Sequence, residues 1–283
     1  MTPTAQRQRL RAILAGNQCL SPASVYDAMS ARIAQSVGYE LGMLAGSVAS
    51  NTTLAAPDII LLTLTEFADQ VRRIMRASTL SLMTDADHGY GNAMNVMRCV
   101  EELEHSGVSG LSIEDTDLPA PFGQEKESLI SLAEGVGKMK AAVAARRDPA
   151  LVIAGRSSAL KIEGLDGALA RFKAYEAAGV DAIFVIGLEK LEQLDAIRAA
   201  VKLPIIVGTA PASIKREELA ARGARILLQG HLPVAAAAKA LKDAYTHLFN
   251  GGAPAGLKDS VSQEMDAYMH ADQYKDWQRR FLR

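Results

Sequence analysis

The sequence predicts an α/β protein of the (β/α)8, or TIM, barrel class. Three observations carry that expectation. Eight short apolar runs each precede a stretch with helical periodicity. The runs are continuously apolar rather than alternating, as strands buried on both faces are. No Gly-x-Gly-x-x-Gly fingerprint follows the first run, which counts against an open dinucleotide-binding sheet. Alternating strands and helices imply parallel pairing with helical crossovers. Eight such units in 283 residues favour a closed barrel.

The elements follow in order. Residues 1–20 carry Arg7, Arg9 and Arg11 with no long apolar run after them, so they read as an amphipathic helix and not a secretory signal. A short strand and its loop lie within 18–27. Met29, Ile33 and Val37 recur at steps of four, predicting a helix over 28–37 that Gly38 ends. A strand over 41–45 runs into a loop over 46–58. A helix begins near Thr65, with Phe67, Val71, Ile74 and Met75 on one face. The strand 80–83 enters Asp85-Ala86-Asp87, and a helix over 94–106 follows, with Gly107 at its end. The strand 110–113 ends in Glu114-Asp115, and a loop with Pro119, Pro121 and Gly123 leads to a helix over 132–147, with Val136, Met139, Lys140 and Val143 in register. Strands at 151–154, 181–186, 204–207 and 225–228 alternate with helices over 166–178, 191–200, 216–222 and 234–249. We assign 1–250 to a barrel domain that carries the catalysis. Residues 251–283 are a glycine-rich linker and a charged helical tail bearing Met265, Tyr268, Met269, Tyr274, Trp277 and Phe281. An aromatic stripe of this kind packs against protein, its own barrel or a neighbour's.

Composition narrows the partners. A net charge of -1 gives no basic excess for a nucleic-acid polyanion. No apolar run approaches the ~18 residues of a membrane span. Cys19 and Cys99 have neither disulfide nor metal-ligand spacing, so a cytoplasmic setting is expected.

In a barrel the site lies at the C-terminal ends of the strands. The residues there are Tyr26, Ser47, Asp85 with Asp87, Glu114, Arg156 and His231, and Asp58 can join them from the second loop. Asp85 and Asp87 are two apart, so in an extended chain both face one site. Such acids suit a hard divalent cation; the competing reading of an isolated Asp-x-Asp is a solvated loop with a helix cap. Several carboxylates, one arginine, a serine and a histidine together suit a small anionic substrate with a ketone or enolate oxygen on a metal.

The stretches Tyr26-Asp27-Ala28-Met29-Ser30-Ala31-Arg32, Gly46-Ser47, Asp85-Ala86-Asp87-His88-Gly89-Tyr90-Gly91-Asn92, Ile113-Glu114-Asp115 and Ala154-Gly155-Arg156-Ser157 make the chain resemble the phosphoenolpyruvate mutase/isocitrate lyase superfamily. The resemblance implies that Asp85 ligates Mg2+ directly, with Mn2+ as a substitute, and that Asp58, Asp87 and Glu114 hold the ion through water. It implies that Ser47 and the backbone after it bind the substrate carboxylate, with Tyr26 in the same pocket, and that Arg156 meets the anionic groups. It also implies a last helix swapped between subunits and a homotetramer built as a dimer of swapped dimers.

The loop after Glu114 selects the branch. It reads Leu118-Pro119-Ala120-Pro121-Phe122-Gly123-Gln124-Glu125-Lys126. It lacks the cysteine that acts as general acid in isocitrate and methylisocitrate lyases, and the Asn-Ser pair of the mutases and phosphonopyruvate hydrolases. What remains is similar to the oxaloacetate decarboxylase branch. That branch implies Mg2+-dependent loss of CO2 from a 2-keto dicarboxylate through a metal-stabilised enolate, with His231 recognising the substrate. The alternatives are P–C bond chemistry on phosphonopyruvate, or a 2-keto-acid-binding barrel without turnover. Ser157-Ser158 and Gly208-Thr209-Ala210-Pro211 depart from the family pattern where the distal carboxylate would lie.

Overall fold

A computed structural model describes residues 1–260 and 263–283. The chain opens with α1 (Pro3–Ala15), β1 (Ala23–Ser24), α2 (Ala28–Val37), β2 (Leu41–Leu44), α3 (Gly46–Leu54), α4 (Leu64–Ala77) and β3 (Ser81–Asp85). It continues with α5 (Ala93–Ser106), β4 (Gly110–Glu114), α6 (Leu132–Ala145), β5 (Val152–Ser157), α7 (Ala159–Ile162), α8 (Gly164–Ala178), β6 (Ala182–Val185) and α9 (Leu191–Ala200). Then come β7 (Ile205–Val207), α10 (Arg216–Ala221), β8 (Ala224–Leu227), α11 (Leu232–Phe249), α12 (Met265–Tyr268) and α13 (Ala271–Phe281).

The eight strands form one parallel sheet in sequence order. Leu20, just before β1, pairs with Ile226 of β8, its N–H donating to the Arg225 carbonyl at 2.9 Å. This bridge brings the last strand round to the first. The short apolar runs become strands because both their faces are covered. Outward residues such as Leu82, Ile153 and Ile183 meet the helices. Inward ones such as Met43, Met83, Ala154 and Phe184 fill the barrel.

The three arginines of the opening segment have a use that charge alone does not reveal. Helix α1 plugs the N-terminal mouth of the barrel, with Leu10 and Leu14 packed among Leu41, Met43, Met83 and Val152. Its polar side chains then cap the entry carbonyls of successive strands. Gln6 Nε2 donates to the Leu80 carbonyl at 3.0 Å, Arg7 Nε to Val108 at 2.9 Å, and Arg11 Nε to Ala150 at 2.9 Å. Buried backbone acceptors left unpaired are costly, so one helix supplies donors to several strands. Arg7 is itself paired with Asp148 at 2.7 Å.

Four local expectations change. Residues 46–54 form α3 rather than a loop, because burial of Val48 and Ala49 outweighs the weak helix propensity of its Ser and Thr residues. In α6 the buried lysine is Lys138, while Lys140 faces solvent. In α2 only Ala31 is buried, and Ile33 and Val37 of the predicted apolar stripe are exposed. Helix α11 likewise has no buried residue, so it does not lie on the barrel as its place in the cycle predicts.

Leu10 is fully buried at the plug. Leu10→Ala is expected to cost about 2–5 kcal/mol, read as a lower denaturation midpoint. A stability equal to wild type would mean that α1 is not part of the core.

Candidate active site

Strand register builds the site. Glu114 and Arg156 are direct partners in the β4–β5 ladder, and Asp85 pairs with Ser112 one strand away. Side chains at matched register project to the same side of the sheet. The Arg156 guanidinium therefore reaches both acids. Its Nη1 is paired with Asp85 Oδ2, and its Nη2 lies 2.9 Å from Glu114 Oε2. The Phe184 ring lies 5.6 Å below its Cζ.

Asp87 sits on an unusual turn. Asp87, Gly89, Tyr90 and Gly91 all have positive φ, at 48°, 79°, 62° and 146°. For Asp87 and Tyr90 that conformation is strained, so the surroundings must hold it. Four hydrogen bonds do so. The Asp87 N–H donates to Asp85 Oδ1 at 3.2 Å, and Gly89 N–H to the Ala86 carbonyl at 2.9 Å. Glu114 N–H donates to the Asp87 carbonyl at 2.9 Å, and Lys138 Nζ to the His88 carbonyl at 3.1 Å. A β-carbon at Gly46 would collide with the Asp87 carboxylate, so the first turn of α3 lies directly against it.

The other predicted residues fall around this core. Asp58 is on the exposed loop before α4, close enough to interact with Asp85, Arg156 and His231. His231 stands at the head of α11, with Nδ1 3.0 Å from Ser24 Oγ. Ser47 is half-buried in the first turn of α3, where Ala45 leaves the helix N-terminus without a side-chain cap. Tyr26 stands apart. It lines cavities of about 950 and 720 Å³ that flank α2, and the charge that acts on its hydroxyl is Asp27.

The charges do not balance. Burial, then repulsion from Asp85, Glu114 and Asp58, raises the Asp87 carboxyl well above its ordinary value. Burial lifts Glu114 to about 7 against the pull of Arg156, with Asp85 adding to the rise. Partial desolvation and Asp85 raise Asp58 as well. Burial opposes the charge on Arg156, but Asp85 and Glu114 outweigh it and hold its pKa above the usual value. Burial keeps His231 below its ordinary value. Four crowded carboxylates with one guanidinium form an all-oxygen donor set that fits a hard dication. Among the described residues no three Asp, Glu, His or Cys side chains converge tightly enough to cage one ion. The set therefore suits an ion with few direct protein ligands.

Sequence reasoning missed Lys138, whose ammonium is buried behind the Asp87 turn. The signal was present: Gly135, Lys138, Met139, Ala142 and Ala145 share the buried face of α6, and the small residues make room for the long one.

Three comparisons bear on this architecture. A family model described as phosphoenolpyruvate phosphomutase matches residues 10–249. A protein named oxaloacetate decarboxylase from a Bradyrhizobium species is 55% identical over 268 residues, covering 94% of this chain and 93% of that one. Among solved structures, a phosphoenolpyruvate phosphomutase from Streptomyces platensis subsp. rosaceus is 28% identical with a TM-score of 0.86, covering 99% of each chain. A phosphonopyruvate hydrolase in complex with oxalate and Mg2+ is 26% identical with a TM-score of 0.84 over the full length of both.

The fold raises the Glu114 pKa from 4.5 to about 7. It binds that proton more tightly than the unfolded chain, so the associated stability is present below 4.5 and lost as pH rises through about 7. The denaturation midpoint of the metal-free protein should fall across that window, and less steeply in Glu114→Gln. An unchanged slope would remove Glu114 from the charge imbalance.

Proposed function

The chain belongs to the phosphoenolpyruvate phosphomutase family, and from that membership we propose that it decarboxylates oxaloacetate to pyruvate and CO2. The observation that carries this reading is near-full-length identity above 50% to proteins named oxaloacetate decarboxylase. The loop over 116–131 agrees with it, since it holds no thiol and no Asn-Ser pair.

The residues divide the work. One substrate carboxylate docks at Ser47 and the uncapped amides of α3, where a helix N-terminus favours an anion. Arg156, held by Asp85 and Glu114, presents fixed positive charge to the reacting end of the substrate. His231 is anchored by Ser24 and kept neutral by burial, so it can hydrogen-bond the substrate without adding charge. A divalent cation, Mg2+ with Mn2+ as substitute, held by Asp85 directly and by Asp58, Asp87 and Glu114 through water, would supply Lewis acidity to the ketone. As the bond between C3 and the distal carboxylate breaks, its electron pair moves toward the ketone oxygen and CO2 departs. A proton from water, directly or relayed by His231, reaches C3 and completes pyruvate. None of these steps needs a nucleophile or a cysteine.

The same reading assigns the unpacked helix. Helix α11 exposes Leu241, Tyr245 and Phe249, and the α2 stripe of Met29, Ile33 and Val37 lines the 720 Å³ groove beside its first turn. We propose that a second copy covers both by exchanging α11, in a dimer of swapped dimers. Residues 1–250 would then be a catalytic barrel completed by a neighbour, and 251–283 an oligomerisation segment. No helix among the described residues is long and apolar enough to cross a membrane; a cytoplasmic setting is part of the proposal.

Pyruvate should appear from oxaloacetate with Mg2+ well above the spontaneous background in a coupled assay. No excess would remove the reading. Phosphate or phosphoenolpyruvate formed from phosphonopyruvate would favour P–C chemistry, and tight oxalate binding without turnover a binding protein. Asp85→Ala should lower turnover by more than about 100-fold with the circular dichroism spectrum unchanged. Light scattering should give an oligomer that Leu241→Asp dissociates; a monomeric wild type would overturn the exchange.

A further inference from the structure

The register that points Glu114 and Arg156 into the barrel mouth turns their neighbours, Asp115 and Ser157, toward the helix layer. A second polar cluster forms there. Asp115 is fully buried, and its Oδ2 accepts three hydrogen bonds: from Tyr175 Oη at 2.5 Å, Ser157 Oγ at 2.8 Å and Arg171 Nη1 at 3.1 Å. Tyr175 and Arg171 both come from α8, one turn apart. A β-carbon at Gly135 of α6 would lie 2.5 Å from the Tyr175 hydroxyl, so the ring occupies a slot shaped for it.

The cluster reaches two parts of the site. Inside the barrel, Arg156 and Glu114 join β5 to β4; outside it, Ser157 and Asp115 join the same two strands one residue further on. The second link is to the loop over 116–131. Arg171 Nη2 donates to the Ile130 carbonyl at 3.1 Å, and the Ile130 N–H donates to the Asp115 carbonyl at 2.9 Å. The Asp117 N–H bonds the Ser128 carbonyl at 2.9 Å. Glu163 completes the array, its Oε1 2.6 Å and its Oε2 2.9 Å from Arg171.

We propose that Asp115, Ser157, Arg171 and Tyr175 are positioning residues that set the angle of the Glu114–Arg156 pair and root the 116–131 loop beside it. Three donors from two elements converge on the one buried oxygen Oδ2, while Oδ1 has no hydrogen-bond partner, so the donors fix where the carboxylate stands. Groups that orient a reacting site in this way matter although they touch no substrate. A small displacement of Arg156 changes turnover more than binding, because its charge must match the reaction's transition state.

The inference rests on the proposed function only for its kinetic arm. Ser157→Ala removes the hydroxyl that donates to Asp115 and accepts from the Ala159 N–H, with almost no loss of volume. It should lower kcat about 10- to 100-fold with a smaller change in KM, and Ser157→Thr, which keeps the hydroxyl, should restore most of the loss. Tyr175→Phe should act in the same direction. Independently of activity, hydrogen exchange at the amides of Asp117 and Ile130 should speed up in Ser157→Ala and Tyr175→Phe, while the Val25 amide in the β1–β2 ladder is unchanged. Unchanged exchange at Asp117 and Ile130 in folded variants would overturn the proposal, as would exchange accelerated equally everywhere. If the wild type turns over no oxaloacetate, the functional reading fails while the exchange comparison still decides this one.

Discussion

Four carboxylates and one guanidinium share the mouth of this barrel, and the surrounding structure is organised by that imbalance. Two like charges at 4 Å repel by about 4 kcal/mol in a moderately polar environment. Asp58, Asp85, Asp87 and Glu114 could not be gathered there by their own preference. They are gathered by a scaffold that leaves them no alternative. Parallel register delivers Asp85 and Glu114, and hydrogen bonds from three separate segments hold the turn that delivers Asp87. Arg156 relieves part of the repulsion. Burial first, and the repulsion that remains second, raise the proton affinity of Asp58, Asp87 and Glu114.

The rigid and the variable parts of the site are kept separate. The Asp87 turn is pinned by Glu114, Lys138 and the α3 contact at Gly46. The loop over 116–131 is tied near its two ends and by Lys161 Nζ, 3.1 Å from Glu127 Oε2, and its tip exposes Phe122 entirely to solvent. Residues at such a tip can change without disturbing the acids. One scaffold can thus support different reactions, and the neighbouring structures, a phosphomutase and a phosphonopyruvate hydrolase, share this fold at under 30% identity.

The strand exits were readable from the sequence because a buried parallel strand announces itself as an apolar run, and whatever polar residue follows must stand at its end. Asp85, Glu114, Arg156 and His231 were located that way. Asp87 was placed by spacing, although the chain there is a left-handed turn and not an extended strand. What stayed hidden depends on which face a helix presents. Lys138 reads as surface charge until the small residues beside it are seen to make room for it. Helix α3 was hidden by residues whose intrinsic preference opposes a helix and whose packing decides for one. The apolar stripe of α2 is periodic, yet periodicity does not say whether a face is covered, and Ile33 and Val37 are exposed.

Helix α1 closes the far end of the barrel with Leu10 and Leu14, and its side-chain donors stitch that seal to the strand entrances. Between that seal and the site, Met43, Met83, Ala154 and Phe184 fill the barrel, so the strand-exit mouth is its one opening. On the proposed chemistry, a gas and a keto acid must leave by the opening through which the substrate came in. Carbon dioxide, small and uncharged, can slip past an occupied site, whereas pyruvate must first break with the charges that held its precursor. Whatever enters or leaves on that chemistry therefore passes the same charged rim.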